Sequence, residues 1–189
     1  MEEKERLDII ARYEIADYMD EIVLAKARRT KYKEDKDGNL KIANPRTAGK
    51  PRTKKINGQS LWVGMNHHLR TKISKELKKY FYEKFRGTKY IEDYPIGIEL
   101  IFYGSLGEYD LDNMSLLYRK TIQDALCGNV EFLTKVENGK KTFHPDREKY
   151  PAIIEDDNVK FITEIPTKFV ESSSKKLTIN IYKADKYEG

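Results

Sequence analysis

Leu61, Met65, Leu69, Ile73, Leu77, Phe81 and Phe85 recur every four residues, and no other feature of the chain restricts its fold as tightly. The repeat lays one apolar stripe along a helix, puts lysines on the other faces, and stops at Gly87, a residue suited to terminate it. Immediately afterwards the period changes. Ile96, Ile98, Leu100 and Phe102 alternate with Gly97, Glu99, Ile101 and Tyr103, which is the pattern of a strand with one strongly apolar face.

Other elements follow the same logic. Residues 113–127 read as a second helix, capped by Asp112 or Asn113, with Met114, Leu117, Tyr118, Ile122, Ala125 and Leu126 inward and Gly128 as terminator. Strand patterns occur at Val130 to Thr134, Val159 to Ile165 and Leu177 to Tyr182, with Pro166 to Lys176 as a hairpin connection between the last two. Residues 7–29 have apolar positions near helical spacing and read as helix, although Tyr13-Glu14-Ile15 and Ile22-Val23-Leu24 suit a strand equally.

At 189 residues the chain has the size of one domain. Charged residues make up 35% and apolar ones 39%, so a modest core under a charged surface is expected. No run of eighteen apolar residues occurs, and the first six residues resemble neither a signal nor a transit peptide, so a cytoplasmic protein away from membranes is expected. The lone Cys127 excludes an internal disulfide and a cysteine-based zinc site, and reads as a small packed residue.

The net charge of +5 is concentrated rather than spread. Between Lys26 and Lys55 twelve Lys and Arg face only Glu34, Asp35 and Asp37, so this segment alone exceeds the excess of the whole chain. Asp37-Gly38-Asn39, Asn44-Pro45, Gly49 and Pro51 are turn and breaker signals, so residues 26–55 read as a long basic loop with a hairpin around Gly38. Such a segment is either a solvated surface or a phosphate-contacting arm. In the second case Arg28, Arg29, Lys31, Arg46, Lys50, Arg52, Lys54 and Lys55 are the candidate nucleic-acid contacts.

Carboxylates cluster where that partner would need them. Asp110 and Asp112 are two residues apart, so in an extended backbone both leave the same face. With Asp157 they form an oxygen-only ligand set suited to magnesium or manganese, able to activate water and stabilise a leaving oxygen. The same residues also suit a helix cap and an acidic turn. His67 and His68, about 100° apart around a helix, cannot share one metal.

The order of these motifs carries a resemblance. Asp110-Leu111-Asp112-Asn113, then Lys120-Thr121-Ile122-Gln123-Asp124-Ala125-Leu126, then Asp156-Asp157-Asn158-Val159 and a final two-stranded hairpin resemble the RusA family of Holliday junction resolvases, over roughly Trp62 to Tyr182. The resemblance implies an α+β single domain over residues 1–189, a small mixed sheet packed on helices. It also implies a homodimer of bacterial or phage origin that makes paired, magnesium-dependent nicks in four-way DNA junctions, leaving 5′-phosphate and 3′-hydroxyl ends. Asp110, Asp112 and Asp157 are then the metal and catalytic carboxylates, Asp156 is a neighbouring carboxylate and further candidate metal ligand, and Lys120 is the basic residue four before Asp-Ala-Leu.

The chain departs from the family in two places. Lys120 lies eight residues beyond Asp112, where the family has about one helical turn. Extra residues before the helix keep Lys120 in the role, whereas an unbroken helix brings Arg119 closer to the face of Asp112 and makes it the candidate contact to the scissile phosphate. Residues 129–151 also replace a much shorter link, and Glu137-Asn138-Gly139-Lys140 marks them as a β-hairpin insertion. It is either a surface excursion or an element placing Lys135, Lys140, Lys141 and Arg147 on the junction arms. A nuclease for flaps or other branched DNA, and a catalytically silent DNA-binding or regulatory protein of the same fold, remain open alternatives.

Overall fold

The computed structural model describes residues 7–25, 30–43, 45, 48–56, 66–105, 111–137 and 139–185, and these described residues form thirteen elements. They are β1 (Ile9–Ala16), β2 (Glu21–Ala25), β3 (Tyr32–Glu34), β4 (Leu40–Ile42), β5 (Arg52–Lys55), α1 (His67–Phe85), β6 (Ile96–Gly104), α2 (Leu111–Leu126), β7 (Phe132–Glu137), β8 (Lys140–Pro145), β9 (Ile162–Glu164), β10 (Thr167–Glu171) and β11 (Lys176–Lys183). The architecture is mixed α and β. None of the described helices is long and apolar enough to cross a membrane.

The main sheet runs β1-β11-β6-β10, and β9 also pairs with β6. β11 is antiparallel to both neighbours, while β9 and β10 run parallel to β6. β9 pairs at Ile96 and Gly97, and β10 pairs from Leu100 to Gly104, so the two lie in succession along one edge of β6. Pro166 separates them. It has no N–H to give a ladder, yet its carbonyl accepts from the Leu100 amide at 2.9 Å, so the edge is broken on the donor side only. A parallel return to β6 requires a crossover, and α2 supplies it.

Both helices cover one face of this sheet. Ile73, Leu77, Phe81 and Phe85 of α1 and Leu117, Tyr118, Ile122 and Leu126 of α2 are buried with Ile98, Leu100 and Phe102 of β6 and Leu177, Ile179 and Ile181 of β11. Tyr118 centres the packing, with ring centroids 5.8 Å from Phe81, 5.5 Å from Phe102 and 5.8 Å from Tyr18. Its hydroxyl donates to the Met19 carbonyl at 2.5 Å. On the opposite sheet face Glu99 is buried but satisfied, accepting from Lys168 Nζ at 2.6 Å and Asn180 Nδ2 at 2.8 Å. Burial pushes its carboxyl up, but these bonds outweigh burial and hold it below the ordinary value.

The N-terminal segment is strand, not helix. Ala11, Tyr13 and Ile15 turn toward the core while Arg12 and Glu14 face out, and pairing with β11 decides between the two periods. The strand ends at Asp17, whose φ of 47° lies in the left-handed region. The expected loop from Pro166 to Lys176 contains β10, so the last strands are not a hairpin: β9 and β10 lie on one side of β6 and β11 on the other. Helix α2 starts at Leu111, which puts Asp112 and Asn113 inside the first turn rather than at the cap.

The basic segment is partly ordered into sheet. β3 and β4 form the hairpin around Gly38, whose φ is 78°, and β5 pairs with β2. In the insertion β7 and β8 make the hairpin that Asn138-Gly139 announces, with Gly139 at φ 76°. Both are exposed two-stranded ribbons. Truncating Phe81, fully buried against Tyr118, is expected to lower unfolding free energy by about 3–5 kcal/mol in a urea titration of Phe81→Ala; a loss below about 1 kcal/mol would contradict this packing.

Candidate active site

Lys120 and Asp157 meet across the insertion. Lys120 stands on the outer face of α2, opposite Tyr118, and Asp157 lies in the turn that leads from the insertion into β9. Lys120 Nζ donates to Asp157 Oδ2 at 2.6 Å and lies 3.1 Å from Asp124 Oδ1, one helical turn on. From α1, Lys78 Nζ reaches within 3.6 Å of Asp124 Oδ2 and donates to the Asn129 carbonyl at 2.8 Å. Two ammonium groups therefore hold two carboxylates from three separate parts of the chain.

The turn itself is built by Asp156. Its Oδ1 accepts from the Asp157 amide and its Oδ2 from Asn158 Nδ2, both at 2.7 Å, so this carboxylate shapes the backbone that presents its neighbour. The Lys120 hydrogen bond holds the Asp157 carboxyl below its ordinary value despite the opposing effect of burial. Burial disfavours the Lys120 ammonium, yet its bonds to Asp157 and Asp124 outweigh that and hold it above the usual lysine value. Cys127 is pushed up to about 12 by burial and by the negative charge of Asp157, Asp156 and Asp124, so it is a packed thiol and not a nucleophile.

The expected site residues separate into groups. Asp157, Lys120 and Asp156 are brought together, whereas Asp110 lies outside the described residues, as do Arg28, Arg29 and Arg46. Asp112 is described as backbone only, and that backbone is helical, so the same-face argument for an extended Asp110–Asp112 pair does not hold. The helix is unbroken from Leu111 to Leu126. At 1.5 Å per residue it carries Lys120 about 12 Å along the axis from Asp112. Arg119 does share the face of Asp112, but it turns to the sheet and donates from Nε to Thr167 Oγ1 at 2.9 Å. Lys120 is the cation that reaches the acidic turn.

Among the described residues no three His, Cys, Asp or Glu side chains are grouped so as to hold a metal. Of the proposed arm, Lys31 and Lys50 lie in described backbone, and Arg52, Lys54 and Lys55 are placed on β5 without a described side chain. Sequence reasoning missed Lys78 and undervalued Asp124. The four-residue spacing from Lys120 to Asp124 was a readable signal for an ion pair, whereas nothing in the chain linked Lys78 to either.

Glu131 is the other missed group. It sits at the base of the insertion and accepts from Lys149 at 2.7 Å, Lys79 at 2.9 Å, Lys75 at 3.0 Å and the Tyr150 hydroxyl at 3.1 Å. Those bonds, that from Lys149 foremost, keep its carboxyl well below the usual range. The hairpin is thereby tied to α1, and the chain leaving it is carried to Asp156 and Asp157.

The chain matches no family model, no curated protein and no solved structure.

Removing the ammonium in Lys120→Met is expected to raise the midpoint of Asp157, read by carboxyl carbon NMR. A carboxyl depressed in the folded state stabilises the fold above its unfolded pKa, and that contribution is lost as pH falls through the folded value. The difference in unfolding free energy between wild type and variant should therefore narrow in acid, from at most about 1 kcal/mol given the exposure of Lys120. An unchanged Asp157 midpoint would rule out the pair.

Proposed function

We propose that the protein is a metal-dependent, structure-specific endodeoxyribonuclease that acts as a homodimer on four-way DNA junctions, as its motif order implies. The observation that carries the reading is the Lys120–Asp157 pair, because it joins the helix that begins at Leu111-Asp112 to the Asp156-Asp157 turn. These are the segments whose order resembles the RusA family, and they meet although 36 residues separate Lys120 from Asp157 along the intervening chain.

The donor chemistry fits a hard divalent cation. Asp157 is an oxygen ligand kept ionised by Lys120, and no thiolate or imidazole takes part in the cluster. Asp110, Asp112 and Asp157 would hold magnesium, with manganese as a substitute and Asp156 fixing the turn. When bound, the ion would supply Lewis acidity toward water and the phosphoryl oxygens. Lys120 neutralises the acidic turn in the resting protein and passes to the scissile phosphate when DNA enters, exchanging one oxyanion partner for another. Basic residues on β3 to β5 add phosphate affinity with little base reading. Two protomers supply the two sites that paired nicks require.

A second reading has a specific observation behind it. The unbroken helix keeps Asp112 about two turns from Lys120, and Lys120 is engaged by two carboxylates, which favours a DNA-binding protein of this fold without catalysis.

Cleavage of a synthetic four-way junction beside a fork, a flap and linear duplex separates these readings. Symmetric nicks in the junction are expected with magnesium and none with EDTA. Asp112→Asn and Asp157→Asn should each lose more than about 100-fold in rate, beyond what outer residues of a metal site cost, while junction binding persists. Junction binding with no metal-dependent cutting of any substrate would establish the binding-protein reading, and cutting confined to flaps would change the substrate.

A further inference from the structure

A groove of about 870 Å³ opens between α1, α2, β9 and the base of the insertion, lined by apolar side chains, its floor, and by cationic ones, its rim. Its floor includes Ile73, Leu116 and Phe132. The last two expose 55% and 48% of their surface to the groove and solvent. The rim is formed by Lys75, Lys78, Arg119 and Lys120, from both helices; Lys75 is paired with Glu131, Lys78 with Asp124 and Lys120 with Asp124 and Asp157, so a phosphate reaches these lysines by exchange with a carboxylate. Lys78 Nζ also lies 5.6 Å from the centre of the Phe132 ring, so a cation and an aromatic face share one wall. The two carboxylates that line the groove are already engaged, Glu131 by three lysines and Glu164 by the Tyr182 hydroxyl at 2.8 Å.

We propose that this groove binds an unpaired DNA strand, with bases on the floor around Phe132 and Leu116 and phosphates on the rim. The inference rests on the nuclease reading and extends it by assigning a path for the strand. Duplex DNA keeps its base faces stacked and has no use for an apolar floor, whereas an unpaired strand presents a base face and a phosphate at every nucleotide. Cations above an apolar, partly aromatic surface match that alternation. Lys120 lines the groove and its ammonium touches Asp157, so a strand lying in the groove would pass beside the acidic turn. This would give the protein a preference for forks and flaps, where strands part, and for four-way junctions through pairs that open at the crossover.

The test is fluorescence anisotropy of a labelled oligothymidylate in EDTA, against duplex DNA of the same length, an oligouridylate and an acidic peptide. Wild type should bind the single DNA strand with an affinity that falls as salt rises. Phe132→Ala, which removes the stacking face, and Leu116→Glu, which adds a negative charge to the floor, should each weaken binding about tenfold or more. Val170→Glu, at an exposed position on the opposite sheet face, should not change it. Thermal melts establish that each variant is folded, and should Leu116→Glu fail to fold, Phe132→Ala decides alone.

Wild-type affinity in the folded groove variants would overturn the proposal, as would a preference for duplex, for RNA or for the peptide. Metal-dependent cutting with no effect of the groove variants on strand binding overturns the groove and leaves the nuclease. Strand binding that depends on the groove without metal-dependent cutting does the reverse.

Discussion

Tyr118 ties the fold to its candidate site. Its ring is enclosed by Phe81 of α1, Phe102 of β6 and Tyr18 from the β1–β2 connection, and its hydroxyl is satisfied by the Met19 carbonyl. A large aromatic with a satisfied polar tip tolerates neither rotation nor sliding of its helix without losing area and a hydrogen bond together. Fixing residue 118 inward fixes Lys120 outward, since two residues turn a helix about 200°. The site cation is aimed by packing on the far side of α2.

What faces that cation is set by electrostatics instead. The insertion departs from α2 at Gly128 and must return to place Asp157 beside Lys120, and an exposed two-stranded ribbon contributes little rigidity of its own. Glu131 compensates at the base of the ribbon, where Lys75, Lys79 and Lys149 converge on one carboxylate. A single exposed pair would contribute little, whereas several cations on one oxygen pair form a network with defined geometry. The backbone adds its share: the Ile153 amide donates to Leu126 at 2.7 Å and the Ile91 amide to Ile153 at 2.8 Å, docking the returning chain on the end of α2.

The parts of the fold legible in the sequence are those whose burial is one-sided. The stripe through Ile73, Leu77, Phe81 and Phe85 and the alternation in β6 and β11 are direct images of a helix and strands packed on one core. β1 misled because Ile9 and Ile10 are both exposed apolar residues that blur its period, and only the β11 register resolves it. β10 was invisible for another reason. Its sequence, Thr167 to Glu171, is largely polar, and its pairing is parallel to a strand 63 residues earlier or more, a relation that no local pattern encodes. Within the site, Lys120 and the Asp156-Asp157 turn were legible as motifs, while Lys78 and Glu131 depend on how α1 lies against the insertion.

The four residues that separate Lys120 from the expected position at Leu116 show how a helix absorbs such a change. Four residues make about 400°, so Lys120 lies only some 40° around α2 from Leu116 and about 6 Å farther along it. Face is conserved and distance is not. Leu116 and Lys120 accordingly line the same groove, one as floor and one as rim, while the buried side of α2 keeps its unbroken apolar stripe through Leu117, Ile122 and Leu126. A deletion or insertion of two residues would instead have turned the ammonium toward the sheet, where a buried cation without a partner is strongly disfavoured. The helix can therefore move its cation by a whole turn at almost no cost in packing, and the change falls on the reach between Asp112 and Asp157, which a cation would have to span if both were its ligands.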